Sequence, residues 1–216
     1  MEEQTKTLSD IEIAEEAANT LTHGLGLVLS IIGLFWLIFT AQQTEDLWKI
    51  GSVSIFGSSL VLLYGTSTLY HGFQVTHIKQ FFRVADHCAI YTLIAGSYTP
   101  FAVVILSGFW SSFLLIAIWS MAGLGIIFKI FFKHRWNVLS TIFYLLMGWL
   151  VVFAMGPLTE ALSTNGIYLL IAGGLSYTLG SFIYLLERPV FHHAIWHLFV
   201  LGGSTCHFFS VLFYVL

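Results

Sequence analysis

Seven apolar runs, each close to 20 residues long, recur along the chain at 22–41, 49–71, 85–106, 109–131, 137–155, 166–186 and 192–214. About 20 residues at 1.5 Å per residue cover the roughly 30 Å of hydrocarbon in a bilayer. No water is available there, so every backbone N–H and C=O must be paired, which an α-helix achieves within one segment. The pattern therefore dictates an all-α fold: a polytopic, seven-transmembrane helix bundle. Charge usage agrees, since only 9% of the residues are charged, against roughly a quarter in soluble domains. With no internal repeat, low-complexity tract or soluble-domain boundary, residues 1–216 read as a single membrane domain.

The distribution of Lys and Arg orients the bundle. Lys79 and Arg83 fall between spans two and three, Lys129, Lys133 and Arg135 at the turn from four to five, and Arg188 between six and seven. Those loops share a side with the N-terminus and Lys6, whereas the opposite loops hold only Lys49 among Glu45, Asp46 and Glu160. By the positive-inside rule the N-terminus is cytoplasmic. Residues 1–20 carry five Glu and one Asp and lack a basic stretch followed by an apolar core, so no cleaved signal is expected. Within them, Ile11 to Asn19 reads as an amphipathic helix lying on the cytoplasmic surface before span one. This acidic tail supplies most of the net charge of −3, and no nucleic-acid partner is expected. Cys88 and Cys206 fall inside spans, at a spacing that suits neither a zinc ribbon nor a disulfide framework.

Pro100 should kink span three, because it removes a helix hydrogen bond. Small residues in spans four and six, among them Gly123, Gly125, Gly173 and Gly174, read as helix-packing faces. The stretch 156–166 reads as the longest external loop.

The polar residues inside spans are few, and alternating direction brings several of them to one depth. Span two runs inward and ends on Ser67 and His71. Spans three and seven start from the cytoplasm, at Asp86 and at His193 and His197. His193 and His197 are four apart and so lie one above the other on a helix face. Ionisable residues in a span are expensive and mark functional sites by default. Three neutral imidazoles at one depth suit Zn²⁺, and a three-His set leaves a fourth position for water, whose pKa zinc lowers to about 7. Asp86 could take that water's proton, orient a ligand imidazole, or pair with Arg83 one turn earlier. Ser67 shares the face of His71 and could donate to the reacting oxygen or bond back to its own helix. His23, His87 and His192 read as helix-packing histidines. His207, ten residues beyond His197 and so about 15 Å deeper, is too far to share the ion.

The strings STLYH at 67–71, DHCAIYTLIAGSYTPF at 86–101 and HAIWHLFVLGGSTCHF at 193–208, with Glu16, Asn19, Thr22 and His23 ahead of them, resemble the hemolysin III family. Those are the bacterial members of the progestin and adiponectin receptor group, related to alkaline ceramidase-type membrane hydrolases. The resemblance covers nearly the whole chain. It implies a bacterial plasma-membrane protein with zinc on His71, His193 and His197, and with Asp86 and Ser67 beside the metal as catalytic residues. The implied activity is ceramidase-like hydrolysis of a lipid amide or ester, in membrane-lipid homeostasis, with membrane lipid as substrate or ligand. A non-catalytic zinc-containing receptor or sensor of lipid state is the alternative. A secreted pore-former is disfavoured, because its polar residues would have to line the full membrane depth.

Overall fold

The computed structural model describes residues 9–132, 136–186 and 190–216. Seven helices among the described residues are long and apolar enough to cross a membrane, and no strand occurs there. They are α1 (Asp10–Gln42), α2 (Leu47–Gly72), α3 (Thr76–Pro100), α4 (Gly108–Phe132), the pair α5 (Asn137–Gly148) and α6 (Met155–Ala161) forming span five, α7 (Thr164–Leu186) and α8 (His192–Tyr214). Each expected span is present. Lys133, Arg135, Arg188 and Lys6, which carry much of the charge bias, lie outside the described residues.

Four boundaries differ from the sequence reading, and each has a physical cause. The N-terminal segment is not a separate surface helix. It is the first three turns of α1, started by a capping box in which Ser9 N–H donates to Glu12 Oε2 (2.9 Å) and Glu12 N–H to Ser9 Oγ (3.3 Å). Likewise α3 starts at Thr76, so Lys79 and Arg83 are helical rather than in a loop. Lys129 lies within α4 and is buried; it does not belong to the turn. Residues 156–161, the first part of the expected 156–166 loop, belong to the helical end of span five.

The α-helical part of span three ends at Pro100. The α-helix gives way to a wider turn over Phe101–Ile105, closed by Leu106 N–H donating to Phe101 O (2.9 Å), an i→i+5 bond. Span five is broken too, by a tight turn over Trp149–Ala154. Tyr98 bridges onto that break from α3. Its hydroxyl donates towards Met147 O (2.9 Å) and Gly148 O (2.7 Å) and accepts from Val151 N–H (2.9 Å). Backbone groups freed by the broken helix thereby find partners, as the interior of a membrane protein requires.

Helix α1 packs on α2 and α8, α2 on α3, and α7 on α8. In mid-bundle, Tyr64 of α2 donates to Ser204 Oγ of α8 (2.8 Å), and Tyr177 of α7 reaches the same oxygen (2.8 Å). Gly203 permits this approach, since a Cβ there would lie 2.8 Å from the Tyr177 ring. The result fixes the relative depth of α2, α7 and α8, and with it the histidines near their ends.

Candidate metal centre

His71 stands one residue from the end of α2, His193 and His197 in the first two turns of α8. The structure brings all three together: one ligand nitrogen from each falls within 4.8 Å of the others. Ring centroids are 4.9 Å apart for His71–His193, 5.2 Å for His71–His197 and 4.7 Å for His193–His197. Two ligands of a tetrahedral ion with bonds of about 2.05 Å stand roughly 3.3 Å apart, so modest ring rotation would close the set.

The hydrogen bonds specify which nitrogen faces inward. Glu16 Oε2 lies 2.7 Å from His71 Nδ1. An ionised carboxylate only accepts, which places the proton on Nδ1 and the lone pair on Nε2. Thr22 Oγ1 lies 3.0 Å from His197 Nδ1 and close to the carbonyls of Ala18 (2.9 Å) and Asn19 (3.0 Å). The hydroxyl's one proton goes to those carbonyls, so it accepts from Nδ1–H and again leaves Nε2 as the lone pair. The Nε2 atoms of His71, His193 and His197 are all buried and without a hydrogen-bond partner. Buried polar atoms are rarely left so, and three clustered imidazole nitrogens without partners could hold a metal ion. Imidazole ligands suit zinc, copper, iron and nickel, so the geometry alone does not select the element.

Helix α1 holds this set in place. Glu16 also pairs with Lys79 Nζ at 3.0 Å, and neighbouring Glu15 accepts the Phe191 N–H at 2.7 Å. That second bond matters because Phe191, at the start of α8, has φ +64°, a left-handed conformation that costs energy for a bulky residue. Adjacent carboxylates on α1 thus tie α2 and α8, the two helices that carry the three histidines. His23 adds a stacked contact, its ring 3.4 Å from that of His197 and inclined by 12°.

Asp86 is buried in α3 and is not among the clustered ligand atoms. Among the described residues it makes no salt bridge, so the pairing with Arg83 is not what the structure shows. Its neighbour is Ser67, whose buried hydroxyl does not meet hydrogen-bond geometry with any protein group. Asp86 and His193 both line a cavity of ≈ 180 Å³ that runs into the bundle between α3, α5, α7 and α8. His207 lies apart, as expected, with Nε2 3.3 Å from Leu170 O of α7; it joins α8 to α7.

The profile of a family described as "Haemolysin-III related" matches residues 11–208, a stretch that contains every side chain of this centre. The chain belongs to the haemolysin-III family. A "Hemolysin-3 homolog" of Bacillus subtilis (strain 168) is 50% identical over 202 residues, covering 94% of this chain and 95% of that protein. "Hemolysin-3" of Bacillus cereus is 48% identical, covering 94% and 93%. A more distant relative is the human "Monocyte to macrophage differentiation factor", 32% identical over 210 residues and covering 93% and 84%. Family membership and seven apolar helices make this haemolysin-III protein a multi-pass protein of the bacterial plasma membrane. The sequence reading missed the tie between Glu16 and His71 and that between Thr22 and His197. The signal for Glu16 was there in the helical spacing, because Glu16, Asn19 and His23 follow at i, i+3 and i+7 on one face; Thr22 lies off that face.

Proposed function

We propose that this haemolysin-III protein is a zinc-dependent hydrolase of a lipid amide or ester, with His71, His193 and His197 as metal ligands. The observation that carries the reading is the position of Asp86: a buried carboxylate outside the ligand cluster, on the wall of the cavity that His193 also lines. A structural ion needs no such neighbour, whereas hydrolysis needs a base beside the reacting water. When bound, zinc supplies a Lewis acid that lowers the pKa of its water to about 7 and polarises a carbonyl.

The chain's own residues do the rest. Glu16 and Thr22 hold the Nδ1 protons of His71 and His197, keeping both imidazoles in the ligating tautomer. Asp86 accepts a proton from water and returns it to the leaving group, and the Ser67 hydroxyl beside it donates to the developing oxyanion. The cavity wall is built from side chains such as Leu93, Ile94, Leu114 and Leu170, which suits an acyl chain and excludes bulk water.

The test is the Asp86→Asn variant, purified beside wild type, with zinc counted by elemental analysis and lipid products by mass spectrometry. Loss of about 10²–10⁴-fold in hydrolysis with one zinc per chain retained supports the reading. Equal hydrolysis by both proteins would sink it. Intact lipid with normal zinc in wild type would favour instead a sensor in which the ion ties α2 to α8.

A further inference from the structure

The second unusual residue of the cavity is Lys129. It is 2% exposed and lies in the last two turns of α4. Its ammonium donates to Asn137 Oδ1 of α5 at 3.1 Å. Among the described residues no carboxylate pairs with it. A lysine so deeply buried is rarely left with a neutral amide as partner, because moving a charge out of water is costly unless an opposite charge meets it. Lys129 and Asn137 line the same cavity as Asp86 and His193. We propose that Lys129 and Asn137 form a head-group subsite that takes the oxyanion of an acyl lipid, carboxylate or phosphate.

The donor inventory fits an anion and little else. Lysine has three N–H donors and no acceptor, and one is spent on Asn137. Because that bond requires the amide oxygen to face the lysine, the Asn137 NH₂ group is turned away from it, and among the described residues no hydrogen bond takes its protons. Asn137 also opens α5, whose N-cap residue Trp136 makes no side-chain cap bond, so the N–H groups of its first turn add to the positive field. Arg83 is a further cation near Lys129. Ser140 and Thr141 donate their hydroxyl protons to Trp136 O (3.2 Å) and Asn137 O (3.0 Å), which lowers their competition for the lysine. Apart from polar groups that include Asp86 and His193, the wall is mainly apolar, with Leu93, Ile94, Phe101, Leu114, Leu158 and Leu170, which suits a ligand with a hydrocarbon tail as well as a charged head. A free inorganic anion would leave that wall uncovered.

This assignment names a substrate class for the hydrolase reading, yet it rests on the cavity and is read by binding without turnover. The purified full chain in a neutral detergent is titrated with oleate, with 1-oleoyl-lysophosphatidate and with uncharged monooleoylglycerol. Bound lipid is counted by native mass spectrometry. Wild type is expected to bind one of the two anionic lipids at least about 10-fold more tightly than monooleoylglycerol, the gain of one charge-assisted hydrogen bond. Which anion wins distinguishes phosphate from carboxylate. Lys129→Met should lose the preference while still binding monooleoylglycerol, and Lys129→Arg should keep it. Should Lys129→Met not stay monodisperse, Asn137→Ala reads the same site through a weakened preference. His197→Ala should retain the preference even if it loses all metal and all hydrolysis. No preference in wild type overturns the assignment, as does a preference that survives Lys129→Met but vanishes in His197→Ala.

Discussion

Glu16 Oε2 and His71 Nδ1 are 2.7 Å apart, and 55 residues separate them in the chain. That contact joins the start of α1 to the end of α2 and sets the proton of the His71 imidazole. A carboxylate behind a ligating histidine orients the ring and raises its basicity, and losing such a partner typically costs about 10–100-fold in metal affinity. We expect Glu16→Ala to weaken zinc binding by that factor, and Glu16→Gln to lose less because its amide oxygen can still accept. Competition titration of the purified protein against a chelating dye measures it. Unchanged affinity in Glu16→Ala would mean that the contact does not orient His71.

Thr22→Val tests the corresponding support behind His197. Valine has nearly the shape of threonine but no oxygen, so His197 Nδ1 loses its 3.0 Å partner while the packing is kept. Zinc affinity should fall by about 10-fold, and Thr22→Ser should restore it. The Lys79→Met change provides a contrast. Its 3.0 Å pair with Glu16 is partly exposed, and such pairs contribute about 0–1 kcal/mol, so its effect on zinc should be smaller than either.

The sequence disclosed the seven spans and the clustering of three histidines for reasons that can be stated. Span length and hydropathy are set by the bilayer, which is outside the protein and the same for every helix. The cluster could be read because alternating span direction turns residue number into depth, as it does for His71, His193 and His197. What was hidden depends on the partner across a helix interface. Glu15 and Glu16 looked like a solvated face because they are acidic; only the fold shows them spent on the Phe191 N–H, His71 and Lys79. Lys129 looked like a loop charge because it stands near two other basic residues, and its inward aim is set by α4 rotation. Glycine spacing was equally mute. A Cβ on Gly125 would collide with the Tyr91 ring and one on Gly173 with His207, whereas Gly123 and Gly174 have nothing within 4 Å.

That distinction yields a paired prediction. In Gly203→Ala the new methyl would lie 2.8 Å from the Tyr177 ring, pushing Tyr177 off Ser204. Overpacking of this kind costs about 1–3 kcal/mol. Gly123→Ala meets no atom and removes a flexible residue from a helix, so it should be neutral or stabilising by up to about 1 kcal/mol. Thermal unfolding in detergent should rank Gly123→Ala at or above wild type and Gly203→Ala below. Equal midpoints for the two variants would show that the α7–α8 contact is looser than described.

Tyr98→Phe separates stability from the metal centre. The phenol serves Met147 O, Gly148 O and Val151 N–H at the break in span five. Without it these groups lose their partner, at about 1–3 kcal/mol for a buried unsatisfied group. The melting midpoint should fall by several degrees, at about 2–4 °C per kcal/mol for a chain of this size. Zinc content should stay at the wild-type value, because none of the three histidines contacts this break. A loss of zinc without a change in melting would contradict the account of Tyr98 as a support of span five.

The last prediction concerns lysis of membranes, which the names of the Bacillus relatives invoke. A water-filled pore needs polar side chains along its full depth. Here the titratable cluster sits at one end of the bundle, where α2 finishes and α8 begins. Below it, α2 presents buried Phe56, Leu60 and Leu63, and the mid-depth hydroxyls of Tyr64, Ser204 and Tyr177 are spent on one another. The cavity beside them has a mainly apolar wall, and apolar stretches resist wetting. Proteoliposomes at low protein density should therefore retain a small trapped dye, with or without zinc. Stepwise single-channel currents that persist in the His71→Ala variant would show a conducting path, and this reading of the bundle would then fail.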